Sequence, residues 1–369
     1  MATMFDYLDW RGDLTFAQDP PNEVDALIFS TLSYIHYGGQ VEDCPQAPVS
    51  LRQAADHFFS QEAPETRVRV EKDLDLLHQA ARSTRFGHAK LVMYRDILVP
   101  EQDTQFAAVT FQLDDGSAFL TFRGTDYTLV GWKEDFNMSF QQTVPAQRLA
   151  QQYLRDVASE YELPIRLGGH SKGGNLAVFA AARSGPMLQQ RILQIYNNDG
   201  PGFTKYMMGD PGYLAMVPRI KTFVPESSVI GMLLEHEEPY TVVKSRTVSL
   251  LQHDPYTWEI FGRAFQTVEE VSQDSRFLDA TIKAWFADMT NQERSRLVDV
   301  LFTLLGTGGV ESTLDIFHPR NTLNYLKALS ADENMRKVLS SEFQALVDAA
   351  RRTRIRFEER GDLLEEPKE

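Results

Sequence analysis

The stretch Ile165-Arg-Leu-Gly-Gly-His-Ser-Lys-Gly-Gly-Asn-Leu-Ala177 decides the fold of this chain. It contains G-x-S-x-G as Gly169-His170-Ser171-Lys172-Gly173, between a short apolar run at residues 165–167 and a helical pattern at residues 175–183. A strand, a tight turn and a helix in this order lift a serine hydroxyl out above the sheet. The flanking glycines let the strand and the helix approach each other around a strained turn. Ser171 is therefore the predicted nucleophile.

The same turn predicts an oxyanion role for Lys172. Its backbone N–H and the helix N-terminus lie where negative charge develops during acyl transfer. Its side chain is expected to point outward. A phosphate loop needs G-x-x-x-x-G-K-[S/T] and a dinucleotide site needs G-x-G-x-x-G, and neither spacing matches here. We therefore expect no cofactor and no metal.

Strand and helix signals alternate around this stretch. Residues 90–99, 105–113 and 117–122 predict strands, and Asp114-Asp115-Gly116 predicts a hairpin turn between the last two. Residues 146–161 have the periodicity of an amphipathic helix, while residues 192–196 and 222–224 predict further strands. Such alternation indicates a largely parallel sheet with helices on both faces. The predicted fold class is α/β, with the α/β-hydrolase arrangement.

The chain is expected to divide near residue 265. Residues 1–265 form the predicted hydrolase core with an N-terminal helical extension, in which Asn22 caps a helix. From about Phe265 the pattern becomes helical throughout, and Thr290 to Glu293 is a capping box. Residues 266–369 are therefore predicted to be a helical cap or appendage.

A serine hydroxyl needs an adjacent imidazole as its base. The chain has eight histidines, and the order serine, acid, histidine of α/β-hydrolases leaves three of them: His236, His253 and His318. His253 is favoured because it follows a predicted final strand at residues 248–251, with Trp258 placed to pack beneath it.

The base in turn needs a carboxylate to orient it. Asp199 follows the strand predicted at residues 192–196 and opens the turn Asp199-Gly200-Pro201-Gly202-Phe203. Glu226 follows the next predicted strand and stays open as the alternative. Asp254 adjoins His253 and is poorly placed to accept its Nδ1 hydrogen bond. Asp199 is the predicted acid.

Two further motifs carry a family resemblance. Phe122-Arg123-Gly124-Thr125 followed by Gly131-Trp132-Lys133-Glu134-Asp135-Phe136 resembles the oxyanion loop of fungal-type (class 3) lipases. That resemblance implies an oxyanion role for Thr125, through its backbone N–H or its hydroxyl. Arg123 and Asp135 are expected to hold this loop through a salt bridge or backbone hydrogen bonds.

The chain more closely resembles a bacterial family of lipase-like α/β-hydrolases, the Mbeg-like group, over roughly residues 20–265. Its motifs F-R-G-T-D, G-W-K-E-D-F, G-H-S-K-G-G-N-L-A and Q-H-D all occur here. The chain departs from class 3 lipases at Lys172, where they carry an apolar residue, and at Ser227-Ser228, where they carry their acid. The turn at Asp199 instead resembles the acid site of pancreatic-type lipases.

The composition of the chain limits the classes of binding partner and the cellular compartment that can be expected. A net charge of −15 without a basic stripe argues against nucleic acid. No amphipathic basic helix supports membrane association. A single cysteine, Cys44, and the lack of a signal-peptide pattern predict a cytoplasmic protein.

The sequence predicts a serine hydrolase that cleaves an ester, thioester or amide of a small or lipid-like acyl substrate. The alternative is a hydrolase fold that is catalytically idle and serves as a binding or regulatory module. In that case the helical C-terminal third would supply the partner surface.

Overall fold

A computed structural model shows a large sheet with helices on both faces. It describes residues 2–126, 128–310, 316 and 318–360. Residues 361–369, which the sequence assigns to the helical C-terminal region, lie outside the described residues.

The strands of the described chain are β1 (Val49–Ser50), β2 (Lys90–Val99), β3 (Thr104–Gln112), β4 (Ala118–Phe122), β5 (Ile165–His170), β6 (Ile192–Asn198), β7 (Ile220–Pro225), β8 (Tyr240–Val243), β9 (Ile260–Phe261), β10 (Ala264–Phe265) and β11 (Thr267–Val268). The helices are α1 (Met4–Arg11), α2 (Glu23–Leu32), α3 (Leu51–Ser60), α4 (Glu71–Arg82), α5 (Thr84–Gly87), α6 (Leu129–Asn137), α7 (Pro145–Glu160), α8 (Lys172–Ala182), α9 (Pro186–Gln189), α10 (Lys205–Met208), α11 (Pro211–Met216), α12 (Gln273–Ala287), α13 (Asn291–Leu305), α14 (Pro319–Ala331) and α15 (Glu333–Arg360).

The main sheet has the order β1-β2-β3-β4-β5-β6-β7-β8-β11. Strands β4 to β8 run parallel to one another, and the antiparallel pairs lie on either side of them, toward the two edges. Strand β5, which leads into Ser171, lies at the centre of this order. The carboxyl ends of the parallel strands therefore surround the serine, as in the α/β-hydrolase fold that the sequence predicted.

The predicted hairpin is confirmed. Strands β3 and β4 pair antiparallel from Gln112 with Ala118 to Ala108 with Phe122. Gly116 in the turn has a φ of 80°, a conformation that glycine adopts without steric cost. Strand β4 therefore ends at Phe122, directly before the predicted oxyanion loop.

Two apolar cores lie on opposite faces of the sheet. The neighbouring residues Phe119 and Leu120 on β4 belong to different cores, because successive side chains of a strand point to opposite faces. The N-terminal helices α1 to α5 cover the face that contains Phe119. Helices α7, α8 and α11 cover the face that contains Leu120. Both faces of the central strands are thus buried.

The strand predicted at residues 248–251 is wrong. The last parallel strand is β8, and Ser249–His253 forms a 3-10 helix. Ser249 has a φ of 55°, which interrupts extended backbone, and Leu250 and Leu251 are 62% and 67% exposed. The alternating apolar pattern therefore marks an exposed apolar surface, not a half-buried strand.

The C-terminal region is helical from α12 onward, although the short strand β11 first extends the sheet next to β8. Helix α13 packs on α6 through an apolar cluster that includes Leu129, Val298 and Phe302. Among the described residues, no helix is both long and apolar enough to cross a membrane. The division of the chain near residue 265 stays a prediction.

A buried ion pair fastens the N-terminal helices to one another. Asp25 on α2 accepts two hydrogen bonds from Arg85 on α5, at 2.7 Å from Nε and 2.6 Å from Nη2. The Tyr7 hydroxyl on α1 donates to the same carboxylate at 2.9 Å. Both charged side chains are fully buried, so removing one partner would leave the other uncompensated.

We expect Arg85→Met to lower the free energy of unfolding by about 3–5 kcal/mol, because Asp25 would stay buried without its partner. Urea unfolding measures this loss. The control is Arg276→Ala, which breaks the exposed pair with Glu270 and is expected to cost about 0–1 kcal/mol. An equal loss of unfolding free energy in the two variants would contradict the conclusion that the buried pair of Asp25 and Arg85 stabilises the fold more than an exposed pair does.

Candidate active site

Ser171 lies in a strained turn between β5 and α8. Its backbone has a φ of 58° and a ψ of −134°, outside the regions that side chains usually allow. A Cβ built on Gly169 would lie 2.2 Å from the carbonyl carbon of Gly173, and one on Gly173 would lie 2.0 Å from the oxygen of Phe122. Only glycine fits at both positions. The strand, the turn and the helix can therefore close around the serine as predicted.

The structure brings His253 and Asp199 together. Nδ1 of His253 lies 2.6 Å from Oδ2 of Asp199. Asp199 follows β6, is fully buried and has a φ of 54°. The predicted acid and the predicted base are therefore hydrogen-bonded, although they lie 54 residues apart.

The second oxygen of Asp199 is held by the loop after β7. Oδ1 accepts a hydrogen bond from the Ser228 hydroxyl at 2.5 Å and from the Gly231 N–H at 3.1 Å. With His253, the carboxylate has three hydrogen-bonding neighbours. A proton on Nδ1 of His253 satisfies the 2.6 Å contact with Asp199 and leaves Nε2 with a free lone pair.

The alternative acid and the alternative bases occupy other positions. Glu226 follows β7, and its backbone N–H donates to the Val243 carbonyl. The contact from this loop to Asp199 comes from Ser228 instead. His236 has both ring nitrogens engaged, at 2.9 Å from the Gly231 oxygen and 3.2 Å from Glu238. His318 is exposed just before α14.

His170, which no sequence pattern marked as a site residue, holds the backbone of His253. Its Nε2 lies 2.8 Å from the carbonyl oxygen of His253, and the two ring centroids are 4.5 Å apart. Its Nδ1 lies 3.0 Å from the Tyr34 hydroxyl. A neutral His170 that donates from Nε2 and accepts at Nδ1 satisfies both contacts. His253 is thereby fixed beside the residue that precedes Ser171.

The predicted oxyanion loop lies against the serine. A Cβ built on Gly124 would lie 3.2 Å from the Cβ of Ser171. The hydroxyl of the next residue, Thr125, donates to Oδ2 of Asp135 at 2.5 Å. That hydroxyl is already engaged, so the backbone N–H of Thr125 is the group left to face an oxyanion. Lys172 begins α8, where the first backbone N–H groups have no partner within the helix.

Arg123 and Asp135 hold the loop in different ways. Arg123 is buried and forms two hydrogen bonds to Asp96, at 2.9 and 3.1 Å, with Asp126 at 3.7 Å. Asp135 binds Thr125, and burial raises the pKa of its carboxyl to about 6 against the opposing attraction of Lys172. The two residues anchor the loop from opposite ends, without a direct pair between them in the described contacts.

The expected outward direction of the Lys172 side chain is wrong. Its side chain is 1% exposed and turns inward beneath α8. Its ammonium lies 3.1 Å from Oε2 of Glu134 and 2.6 Å from Oε1 of Gln105. Hydrogen-bond acceptors on α6 and β3 therefore hold the ammonium group inside the protein. The sequence of the serine turn alone does not reveal either acceptor.

The surface beside the His253–Asp199 pair is narrow and apolar. A crevice of about 10 Å³, lined by Ser227, Ile230 and Leu250 among others, borders the pair. A crevice of this size is at the lower limit for holding one water molecule. Val248 and Leu251, in the segment before His253, are 72% and 67% exposed. Exposed apolar side chains therefore lie on the segment that leads into His253.

The family model described as Mbeg1-like matches residues 80–303, more than half of the 369 residues. The chain belongs to the Mbeg1-like family. The Mbeg1-like chain has no match among curated proteins.

Two solved structures are similar to this Mbeg1-like chain at low identity. One is a mutant form of MDLA from Penicillium cyclopium, at 14% identity and a TM-score of 0.36, covering 61% of this chain and 81% of that chain. The other is the propeptide complex of Rhizomucor miehei lipase, at 14% identity and a TM-score of 0.38, covering 66% and 81%.

The buried position of His170 in this Mbeg1-like protein makes its stability depend on pH. Burial, with His253 and Arg69 nearby, holds the pKa of His170 well below its ordinary value. Below about pH 6.5 the unfolded chain takes up a proton that the folded chain does not. The free energy of unfolding therefore falls with decreasing pH in this range and is unaffected above it.

We expect His170→Gln to remove this dependence, which has a slope of up to about 1.4 kcal/mol per pH unit below pH 6.5. The amide of Gln can still donate a hydrogen bond but does not titrate. Urea unfolding at several pH values between 5 and 7.5 measures the slope. The exposed His78→Gln on α4 is the control and should keep the wild-type slope. A wild-type slope in His170→Gln would sink this assignment.

Proposed function

We propose that this Mbeg1-like protein is a serine hydrolase that cleaves an ester, thioester or amide of a small or lipid-like acyl substrate through an acyl-enzyme. The observation that carries the proposal is the 2.6 Å contact between His253 and buried Asp199, with the His253 carbonyl bound by His170, the residue before Ser171 on its strained turn. A binding module has no need to maintain both features.

In the proposed first step, the Oγ of Ser171 attacks the substrate carbonyl carbon. Nε2 of His253 accepts the hydroxyl proton as the new C–O bond forms. The proton then passes from His253 to the leaving alcohol, thiol or amine, and the acyl group stays on Ser171. In the second step water attacks the acyl-enzyme, with His253 as the base, and the acid product leaves.

Asp199 supports this proton transfer in two ways. Its carboxylate keeps the proton of neutral His253 on Nδ1 and stabilises the imidazolium that forms during attack. The hydrogen bonds from Ser228 and Gly231 keep the carboxylate oriented toward the imidazole. Asp199 is therefore the proposed acid in preference to Glu226.

The proposed oxyanion hole consists of two backbone N–H groups. One belongs to Lys172 at the start of α8, and the other belongs to Thr125 in the loop that Gly124 brings against Ser171. Fixed donors of this kind stabilise the tetrahedral intermediate because they need not reorganise as charge develops.

The exposed apolar residues before His253 support an acyl substrate. Val248, Leu250 and Leu251 are each more than 60% exposed on the segment that carries the base. An acyl chain that covered them would bury apolar surface worth roughly 25 cal/mol per Å².

A fluorophosphonate probe is expected to label the wild-type protein, and Ser171→Ala is expected to abolish labelling because its hydroxyl is the attacking group. Asp199→Asn should lower kcat for a short acyl ester by about 10⁴-fold, since the amide favours the wrong tautomer of His253. Mass spectrometry of the adduct and an ester panel of graded chain length are the measurements.

Ser159→Ala, an exposed serine on α7, is the matched control and should label like the wild type. Labelling that persists in Ser171→Ala would exclude Ser171 as the nucleophile. A folded wild-type protein that takes no label and turns over no ester, thioester or amide in the panel would favour the idle binding module instead.

A further inference from the structure

The ammonium group of Lys172 is buried beneath the serine turn with three close acceptors. Its Nζ donates to the backbone oxygen of Gln105 at 2.9 Å, to Oε1 of Gln105 at 2.6 Å and to Oε2 of Glu134 at 3.1 Å. An ammonium has three N–H donors, so these contacts use all of them. The side chains of Lys172 and Glu134 are 1% and 0% exposed.

Glu134 joins four elements at one point. Its Oε1 accepts from the Ala146 N–H at the start of α7, at 2.8 Å. Its Oε2 accepts from the Gln105 N–H on β3, at 3.1 Å, as well as from Lys172 on α8. Glu134 itself lies on α6. The ion pair therefore fixes α6 against the helix that begins at the serine turn.

The same helix α6 holds the other proposed oxyanion donor. Asp135, the next residue, accepts the Thr125 hydroxyl at 2.5 Å, and its Oδ1 lies 3.8 Å from Nζ of Lys172. A Cβ built on Gly131 would come within 2.9 Å of Cγ2 of Thr125, so α6 also packs tightly on this loop. Lys172 thus approaches two consecutive side chains of α6, Glu134 and Asp135, and Asp135 in turn binds Thr125.

A buried ion pair is a weak means of stabilising a fold. Taking two charges out of water costs free energy, and well-packed apolar residues often replace such a pair without loss of stability. The pair therefore calls for an explanation other than stability, and directional hydrogen bonds offer one because they fix position.

We propose that the Lys172 side chain is a positioning group that, through Glu134 and Asp135 on α6, sets the separation between the backbone N–H groups of Lys172 and Thr125. This inference rests on the proposed function, since it assigns those N–H groups to an oxyanion hole. Lys172 acts through its neighbours and does not touch the reacting atoms with its ammonium group. Residues of the motif G-W-K-E-D-F have separate roles in this arrangement. Gly131 allows close packing against the loop that contains Thr125, Glu134 binds Lys172 of the serine turn, and Asp135 binds Thr125.

The test is the double variant Lys172→Met/Glu134→Gln, which removes both buried charges together and keeps similar side-chain volumes. We expect kcat for an acyl ester to fall by roughly 100-fold, with KM little changed, because a small misplacement of the donors weakens only the transition state. The affinity of an alkyl boronic acid, which forms a tetrahedral adduct on serine, should fall with kcat.

The matched control is Arg166→Met/Asp115→Asn. It removes another partly buried ion pair, at the end of β5 that lies away from Ser171, and should leave kcat unchanged. If the first double variant does not fold, Glu134→Gln alone loosens Lys172 while it retains an amide of similar shape.

A folded Lys172→Met/Glu134→Gln or Glu134→Gln protein with wild-type kcat and boronate affinity overturns the positioning role, while labelling of Ser171 would leave the proposed function intact. A purely structural role predicts a lower melting temperature with unchanged kcat. Wild-type protein without turnover or labelling overturns the proposed function, and this inference with it.

Discussion

The backbone conformation of Ser171 is the constraint on which the rest of the structure depends. A non-glycine residue at a φ of 58° and a ψ of −134° costs about 1–3 kcal/mol and persists only where its surroundings enforce it. Here the enforcement comes from the close packing of Gly169 and Gly173 at the junction of β5 and α8. The central position of β5 then brings the ends of the neighbouring strands to this one turn.

Around the turn, the candidate site has two sides, and different parts of the chain form each of them. On one side, Asp199 in the loop after β6 binds His253, and Ser228 in the loop after β7 binds the other oxygen of the same carboxylate. On the other side, α6 holds the loop after β4 through Thr125. His170, in the strand between them, ties the backbone of His253 to the turn itself. Each side is a network of buried polar groups whose partners come from distant parts of the chain.

The features that the sequence predicted are those with a local pattern. The serine turn, the β3–β4 hairpin and the caps at Asn22 and Thr290 each depend on residues within a few positions of one another. The pairing of Asp199 with His253 could be predicted from the sequence, because the family resemblance and the order of the strand ends leave few candidate acids and bases. In that case, fold topology supplied the long-range information.

The features that the sequence could not provide depend on contacts between remote residues. The inward turn of Lys172 requires an acceptor 38 residues away, and the role of His170 requires Tyr34, which is 136 residues away. A polar histidine at the end of a buried strand was the signal that would have indicated a buried partner for His170. The apolar pattern at residues 248–251 gave a wrong strand prediction, because the pattern does not show whether its apolar side chains are buried. Their exposure depends on the tertiary structure.

The most direct measurement is a crystal structure of the protein after reaction with an alkyl fluorophosphonate. We expect phosphorus bonded to Oγ of Ser171, the phosphonyl oxygen within hydrogen-bond distance of the Lys172 and Thr125 N–H groups, and Nε2 of His253 beside Oγ. An adduct on another residue, or a phosphonyl oxygen that points away from both N–H groups, would contradict it.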